Sequence, residues 1–279
     1  MGDTLLFDRF FWVVFMMPFV GLLAAGLSKR KDPTVRGRRI LRHDGPARAA
    51  HWSHAIGTVL LLVSGIVLGT RFTPSFTVGK DAVALWFNVH FLFVLLFLFG
   101  TFYWLGNTVV SRWRFREHLP TKHALSYTLN HYGSLLGFKS CTYPKEAKYF
   151  ESERMAFILA LVATAAVLIS GLLKVLAHVL SLPEGFLNVV TWTHDCSAAL
   201  MLLFLAAHVF FGAVLPFSWP NLRSMFTGYV ALEHAEREHP AWVESIKEVR
   251  PRPSEPNRAL HGNPQQGDVT DAEKGIEHA

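Results

Sequence analysis

Five long stretches of this chain contain no Lys, Arg or Glu: residues 10–28, 49–70, 82–111, 155–173 and 185–222. A helix rising about 1.5 Å per residue needs about 20 apolar residues to cross a hydrocarbon core, and each stretch is long enough. Asp81 stands at the edge of the third stretch, and Asp195 lies inside the fifth. Lipid offers an open backbone no hydrogen-bond partner, and none of the stretches alternates as a barrel strand does, so each is read as a helix. Buried helices of a soluble protein are the competing reading, but these seldom run so long without charge. The expected fold is an all-α integral membrane protein, in keeping with a composition that is 51% apolar.

The net charge of +6 is distributed as topology rather than as a nucleic-acid surface. Cations crowd residues 29–48, 112–154 and the tail beyond 222, whereas the opposite side carries only Arg9, Arg71, Lys80 and Lys174. By the positive-inside rule the amino terminus lies outside and the carboxyl terminus lies in the cytoplasm. Ala24, Ala25 and Gly26 resemble a signal-peptide cleavage site, but Asp3, Asp8 and Arg9 supply no positive leader. The first span is therefore read as an uncleaved anchor. Cys141 and Cys196 fall on opposite sides, so no disulfide is expected, and no C-x-x-C-H run marks a c-type haem.

Three units follow: an anchor helix over 1–30, a membrane domain over 31–246 with spans at about 49–70, 82–110, 155–176 and 186–215, and a disordered tail over 247–279. Asp44, Gly45 and Pro46 look like a helix cap and start. A short loop at 71–80 makes the second and third spans neighbours. The segment 112–154 is expected to be a loop with one amphipathic helix near 124–136, and a charged helix is expected near 222–238. Two segments share a Ser-Gly pair near the far end of a span, Ser64-Gly65 and Ser170-Gly171. Small residues of this kind let helices, or a flat cofactor, come close.

Histidine inside a membrane span is costly unless it faces the bundle interior with a partner, which makes each one a functional candidate. His194 and His208 are fourteen residues apart, within about 40° of one helical face and about 21 Å apart along the axis. Topology puts His90 at the level of His194 and His51 at the level of His208. Imidazole is an axial ligand of haem iron, and bundle cofactors are held by side chains from facing helices. Two bis-histidine b haems, one at each level, account for the four residues and suit electron transfer. Gly65 lies at the outer level, where a missing side chain leaves room. His54 is the rival of His51. His178 is placed at an interface, and His118, His123, His131, His234 and His239 are placed in solvated loops or the tail.

At these residues the chain resembles the cytochrome b (gamma) subunit of membrane-bound formate dehydrogenases, in the broader group that includes thiosulfate-reductase and hydrogenase cytochromes b. The matching features are Arg48-Ala-Ala-His51-Trp52, Ser64-Gly65, His90, Ser170-Gly171, the His194 to His208 interval and Glu238-His239-Pro240-Ala-Trp242, spread over residues 42–246. The resemblance implies a four-helix di-haem bundle. His90 and His194 would hold the haem nearer the periplasm, and His51 and His208 the one nearer the cytoplasm. It also implies a periplasmic catalytic subunit, an iron–sulfur subunit that feeds the outer haem, and menaquinone or ubiquinone reduced beside the inner haem. The span at 10–28 is additional to that core. Where relatives have Lys-Tyr-Asn before the fourth span, this chain has Lys148-Tyr149-Phe150-Glu151-Ser152, so the quinone candidates are Lys148, Tyr149 and Ser152.

Two other functions compete. One is a stand-alone di-haem oxidoreductase without a dedicated partner. The other is a transporter whose histidines relay protons or bind a metal, although the broken-helix repeats of many transporters are missing.

Overall fold

The computed structural model describes residues 5–70, 80–109, 112–135, 137–138 and 145–249. The loop at 71–79, Cys141 and the tail from Pro251, each given an expectation above, lie outside the described residues. Among the described residues five helices are long and apolar enough to cross a membrane: α1 (Leu6–Leu27), α2 (Gly45–Thr70), α3 (Lys80–Val109), α6 (Glu151–Leu176) and α7 (Glu184–Val209). Between α3 and α6 lie two shorter helices, α4 (Arg112–Glu117) and α5 (Ala124–Leu135), the second at the expected position. Side chains such as Phe19, Trp192 and Leu203 point outward, which suits a surface facing lipid.

Apolar burial does not hold helices together in lipid, so close backbone packing must contribute. α3 is gripped from two sides. Against α2, a Cβ added at Gly100 would come within 2.5 Å of the His54 backbone nitrogen, and one at Gly57 within 2.8 Å of Phe97 Cα. Against α1, a Cβ at Gly21 would lie 2.7 Å from the Phe99 carbonyl oxygen. Polar bonds pin both ends of this second contact: Leu6 N–H donates to Asn88 Oδ1 at 2.8 Å, and Arg30 Nε donates to Asn107 Oδ1 at 2.7 Å. The additional helix is thus part of the bundle. α6 packs along α7 in the same hairpin manner, while contact between the α2–α3 and α6–α7 hairpins is sparse.

One end of the bundle carries a cap that the all-α expectation did not contain. β1 (Val35–Arg36), β2 (Arg39–Leu41) and β3 (Tyr229–Ala231) form a small antiparallel sheet that joins the entry to α2 to the segment after the last span. The charged helix expected near 222–238 is replaced by α8 (Trp219–Thr227), β3 and α9 (Leu232–Glu238), with α10 (Pro240–Val249) following. The break is at Gly228, whose φ of +88° lets its N–H close on Ser224 O at 2.8 Å and turns the chain into the sheet. The cap has its own core of Ile40, Val230, Ala235, Trp242 and Val243. Here water is the outside solvent, and each such large apolar side chain contributes about 1.5–3 kcal/mol. Asp44 caps α2 as expected, its Oδ1 accepting from Ala47 N–H at 3.0 Å.

Candidate functional site

At the capped end, α2 is fixed in rotation by two residues of one face. The guanidinium of Arg48 donates to the Phe226 carbonyl, and Trp52 Nε1 donates to Met225 O at 3.0 Å. With Arg48 and Trp52 held against α8, His51 faces α7, its ring centroid 6.1 Å from that of His208. The His208 ring stacks on Phe204 of the preceding turn, and just beyond it α7 widens into a π-type turn over Phe210–Val214. Such widened turns recur at functional positions in helices.

The rival, His54, is turned the other way. Its Nδ1 pairs with Thr101 Oγ1 of α3 at 3.0 Å and its ring lies on Phe97. Structure therefore brings His51, not His54, to His208.

At the opposite end the two Ser-Gly pairs do the same job in each hairpin. Ser64 Oγ of α2 lies 2.8 Å from His90 Nδ1 of α3, and Ser170 Oγ of α6 lies 3.1 Å from His194 Nδ1 of α7. Each serine has one hydroxyl proton, and each already donates backward along its helix, Ser64 to Leu60 O at 2.9 Å and Ser170 to Ala166 O at 2.7 Å. Toward histidine the oxygen must accept, so both rings carry the proton on Nδ1 and keep an Nε2 lone pair. The neighbouring glycines lie over the rings: a Cβ at Gly171 would be 3.2 Å from His194 Cε1, and one at Gly65 3.9 Å from His90 Cε1. His90 and His194 are within electrostatic reach of each other, and Lys174 is within reach of both.

A metal bound by two imidazoles at about 2 Å each, on opposite sides, puts the ring centroids about 6 Å apart. The spacing of His51 and His208 meets that requirement, and the free Nε2 atoms of His90 and His194 meet its chemistry. Among the described residues no three or more His, Cys, Asp or Glu side chains converge, and a haem held by two histidines would need only two.

A sequence profile of the prokaryotic cytochrome b561 family matches residues 42–228 of this chain. The chain belongs to the prokaryotic cytochrome b561 family. It is also similar to the formate dehydrogenase cytochrome b556 subunit of Haemophilus influenzae, 23% identical over 212 residues that cover 73% of this chain and 82% of that protein. Membership in a cytochrome b family implies a b-type haem and a bacterial membrane setting. The match spans α2 to α8 and leaves α1, α9 and α10 outside it.

Three histidines expected to be solvated are instead buried in or beside the cytochrome's cap: His131, His234 and His239. His239 has no exposed surface. Its Nδ1 donates to Ala147 O at 2.7 Å, and its Nε2 accepts from Arg42 Nη1 at 2.7 Å. Burial, followed by the Arg42 charge, pushes its pKa down to about 2. Arg42 also donates to Asn221 Oδ1 at 2.9 Å and lies 3.5 Å from Glu153 Oε2, so one guanidinium ties together four separate segments. His118 is half-buried and His123 is exposed. His178 pairs with Asp8 of α1 at 2.6 Å.

Of the quinone candidates, Lys148 is buried, 3.4 Å from Glu117 Oε2, and Tyr149 packs among His43, His118 and Arg42. Ser152 is half-buried in the first turn of α6. His43 was missed by sequence reading. Its Nδ1 pairs with Ser224 Oγ at 3.0 Å, and burial pushes its pKa well below the usual value. The signal for it was the Arg42-His43-Asp44 run directly before a span.

Proposed function

We propose that this chain is the membrane cytochrome b subunit of a respiratory oxidoreductase of the formate dehydrogenase type, with two b haems on four histidines. The observation that carries the reading is the pairing of His51 with His208 across the two hairpins at 6.1 Å. Support for the second pair comes from His90 and His194, both presented with Nδ1 anchored and Nε2 free. Haem b, when bound, supplies a one-electron carrier at each level.

The remaining work falls to the chain's own residues. His51 with His208 and His90 with His194 would each hold one haem, and the group would supply electron transfer there. The cation distribution supports the capped end as cytoplasmic and the end bearing His90 and His194 as periplasmic. Electrons would enter at the periplasmic end from an iron–sulfur partner, with the substrate chemistry on a further subunit. They would leave at the capped end to menaquinone or ubiquinone, where Lys148, Tyr149 and Ser152, together with His43, would bind or proton-couple the quinone. The printed name of the Haemophilus relative supports a multi-subunit complex of this kind.

Pyridine-haemochrome quantification on the purified chain tests the central claim, with two haem b per chain expected. One haem breaks the two-pair assignment, and none removes the function. Co-purification with an iron–sulfur protein is expected. Quinone-linked activity from the isolated chain would favour a stand-alone oxidoreductase instead.

A further inference from the structure

We infer that Ser64 and Ser170 are positioning residues for the haem proposed at His90 and His194, and that they hold its potential below the value it would have without them. The inference rests on the ligand assignment above. It starts from a difference between the two levels. Each ring at the far end has a serine oxygen at Nδ1, at 2.8 and 3.1 Å, whereas His51 and His208 have ring contacts but no hydrogen bond to either nitrogen among the described residues.

The direction of these bonds decides their effect. Because both hydroxyl protons are given to backbone carbonyls of α2 and α6, the serine oxygens accept from Nδ1–H. Donation also polarises them into better acceptors. Drawing the Nδ1 proton outward makes Nε2 more basic, and a more basic axial ligand favours the oxidised metal. Both serines are buried, Ser64 fully and Ser170 to 2% exposure, so water does not screen the effect. The two serines are not equal, since His194 also has the Val167 carbonyl as a backbone acceptor. Among the described residues Ser64 is the one hydrogen-bond anchor of its ring, whereas Ser170 shares its ring.

A redox titration of the haem-loaded protein, followed in the α-band, tests this on wild type, Ser64→Ala, Ser170→Ala, Ser64→Cys and Ser64→Thr. Ser64→Ala is expected to raise one of the two components. Its reduced-to-oxidised ratio at fixed ambient potential should rise about three- to tenfold, the range for one hydrogen bond of ordinary net strength, so at most about 59 mV. Ser170→Ala should raise the same component by less, and the other component should not move. Ser64→Thr, which keeps the hydroxyl, should stay near wild type.

Retained haem with both components unmoved in Ser64→Ala overturns the serine role and leaves the ligand assignment standing. Movement of different components by the two Ala variants sinks the shared-haem assignment itself. If Ser64→Ala loses haem, Ser64→Cys decides, because it keeps the volume with a weaker acceptor. A raised component then supports the inference, and a wild-type potential overturns it. Loss of haem from the Ala, Cys and Thr variants alike overturns it as a packing effect.

Discussion

The two ends of the bundle hold their histidines by different means. At the far end each ring is anchored within its own hairpin, by a serine one helix away that was already bonded to its own backbone. At the capped end neither ring has such an anchor among the described residues. His51 is aimed because Arg48 and Trp52 dock α2 onto α8, and α8 is held in turn by Gly228, the sheet and the Arg42 knot. The far pair depends on local geometry, and the capped pair depends on the integrity of a folded cap in water. Disturbance of the cap should therefore act on one pair only.

Removing ligands tests the pairing most severely. His90→Ala or His194→Ala should lose one haem while sparing the other, and His51→Ala or His208→Ala should do the reverse, as haem content and split α-band spectra would reveal. Loss of the same haem in all four variants would destroy the comparison. His54→Ala should retain both haems, since its ring is committed to Thr101.

Acid should separate the ends next. His239 has its folded pKa at about 2 against an ordinary value of 6.5, so between these limits the unfolded chain binds the proton that the folded cap refuses. This contribution is present above about pH 6.5 and is lost as pH falls toward 2, with a slope of up to about 1.4 kcal/mol per pH unit. His131 and His234, also lowered by burial, act in the same sense. Glu146, raised by burial to about 7, acts oppositely: its contribution is present below about pH 4.5 and is lost as pH rises through 7. Hydrogen exchange should show α9 and α10 loosening on acidification before the far halves of α2 and α3. His239→Gln should flatten that dependence, and equal loosening at both ends would refute the distinction.

Smaller effects refine it. Trp52→Phe removes one bond to Met225 O, worth about 1 kcal/mol. It should shift the spectrum of the capped-end haem alone. Gly171→Ala forces a Cβ to 3.2 Å from His194 Cε1, so the ring must yield by tenths of an ångström and the far-end spectrum should shift. Gly65→Ala, at 3.9 Å from His90 Cε1, meets only ordinary contact on the protein side. A larger perturbation there than at Gly171 would show that something flat lies against that glycine.

Much of this was legible from residues alone. Uncharged stretches long enough for a bilayer specify helices because lipid leaves the backbone no other partner, and helical periodicity puts His194 and His208 on one face. The Ser-Gly repeat was visible too, although its role was not, because the direction of a hydroxyl proton depends on the carbonyl beneath it. The cap was illegible for a different reason. Residues 29–48 and 219–249 read as cationic loops and a charged helix, and nothing local announces that Val230 pairs with Ile40 or that His239 sits under Arg42.

The sequence by itself therefore determined the solvent, the number of spans and the two levels of imidazole, all consequences of local composition and a fixed helical rise. Only the tertiary structure decided which of His51 and His54 faces His208, which nitrogen of His90 and His194 stays free, and that a water-facing cap holds one end. Those outcomes turn on helix rotation and on contacts between residues up to about two hundred positions apart, such as Arg42 with His239, where periodicity no longer constrains the answer.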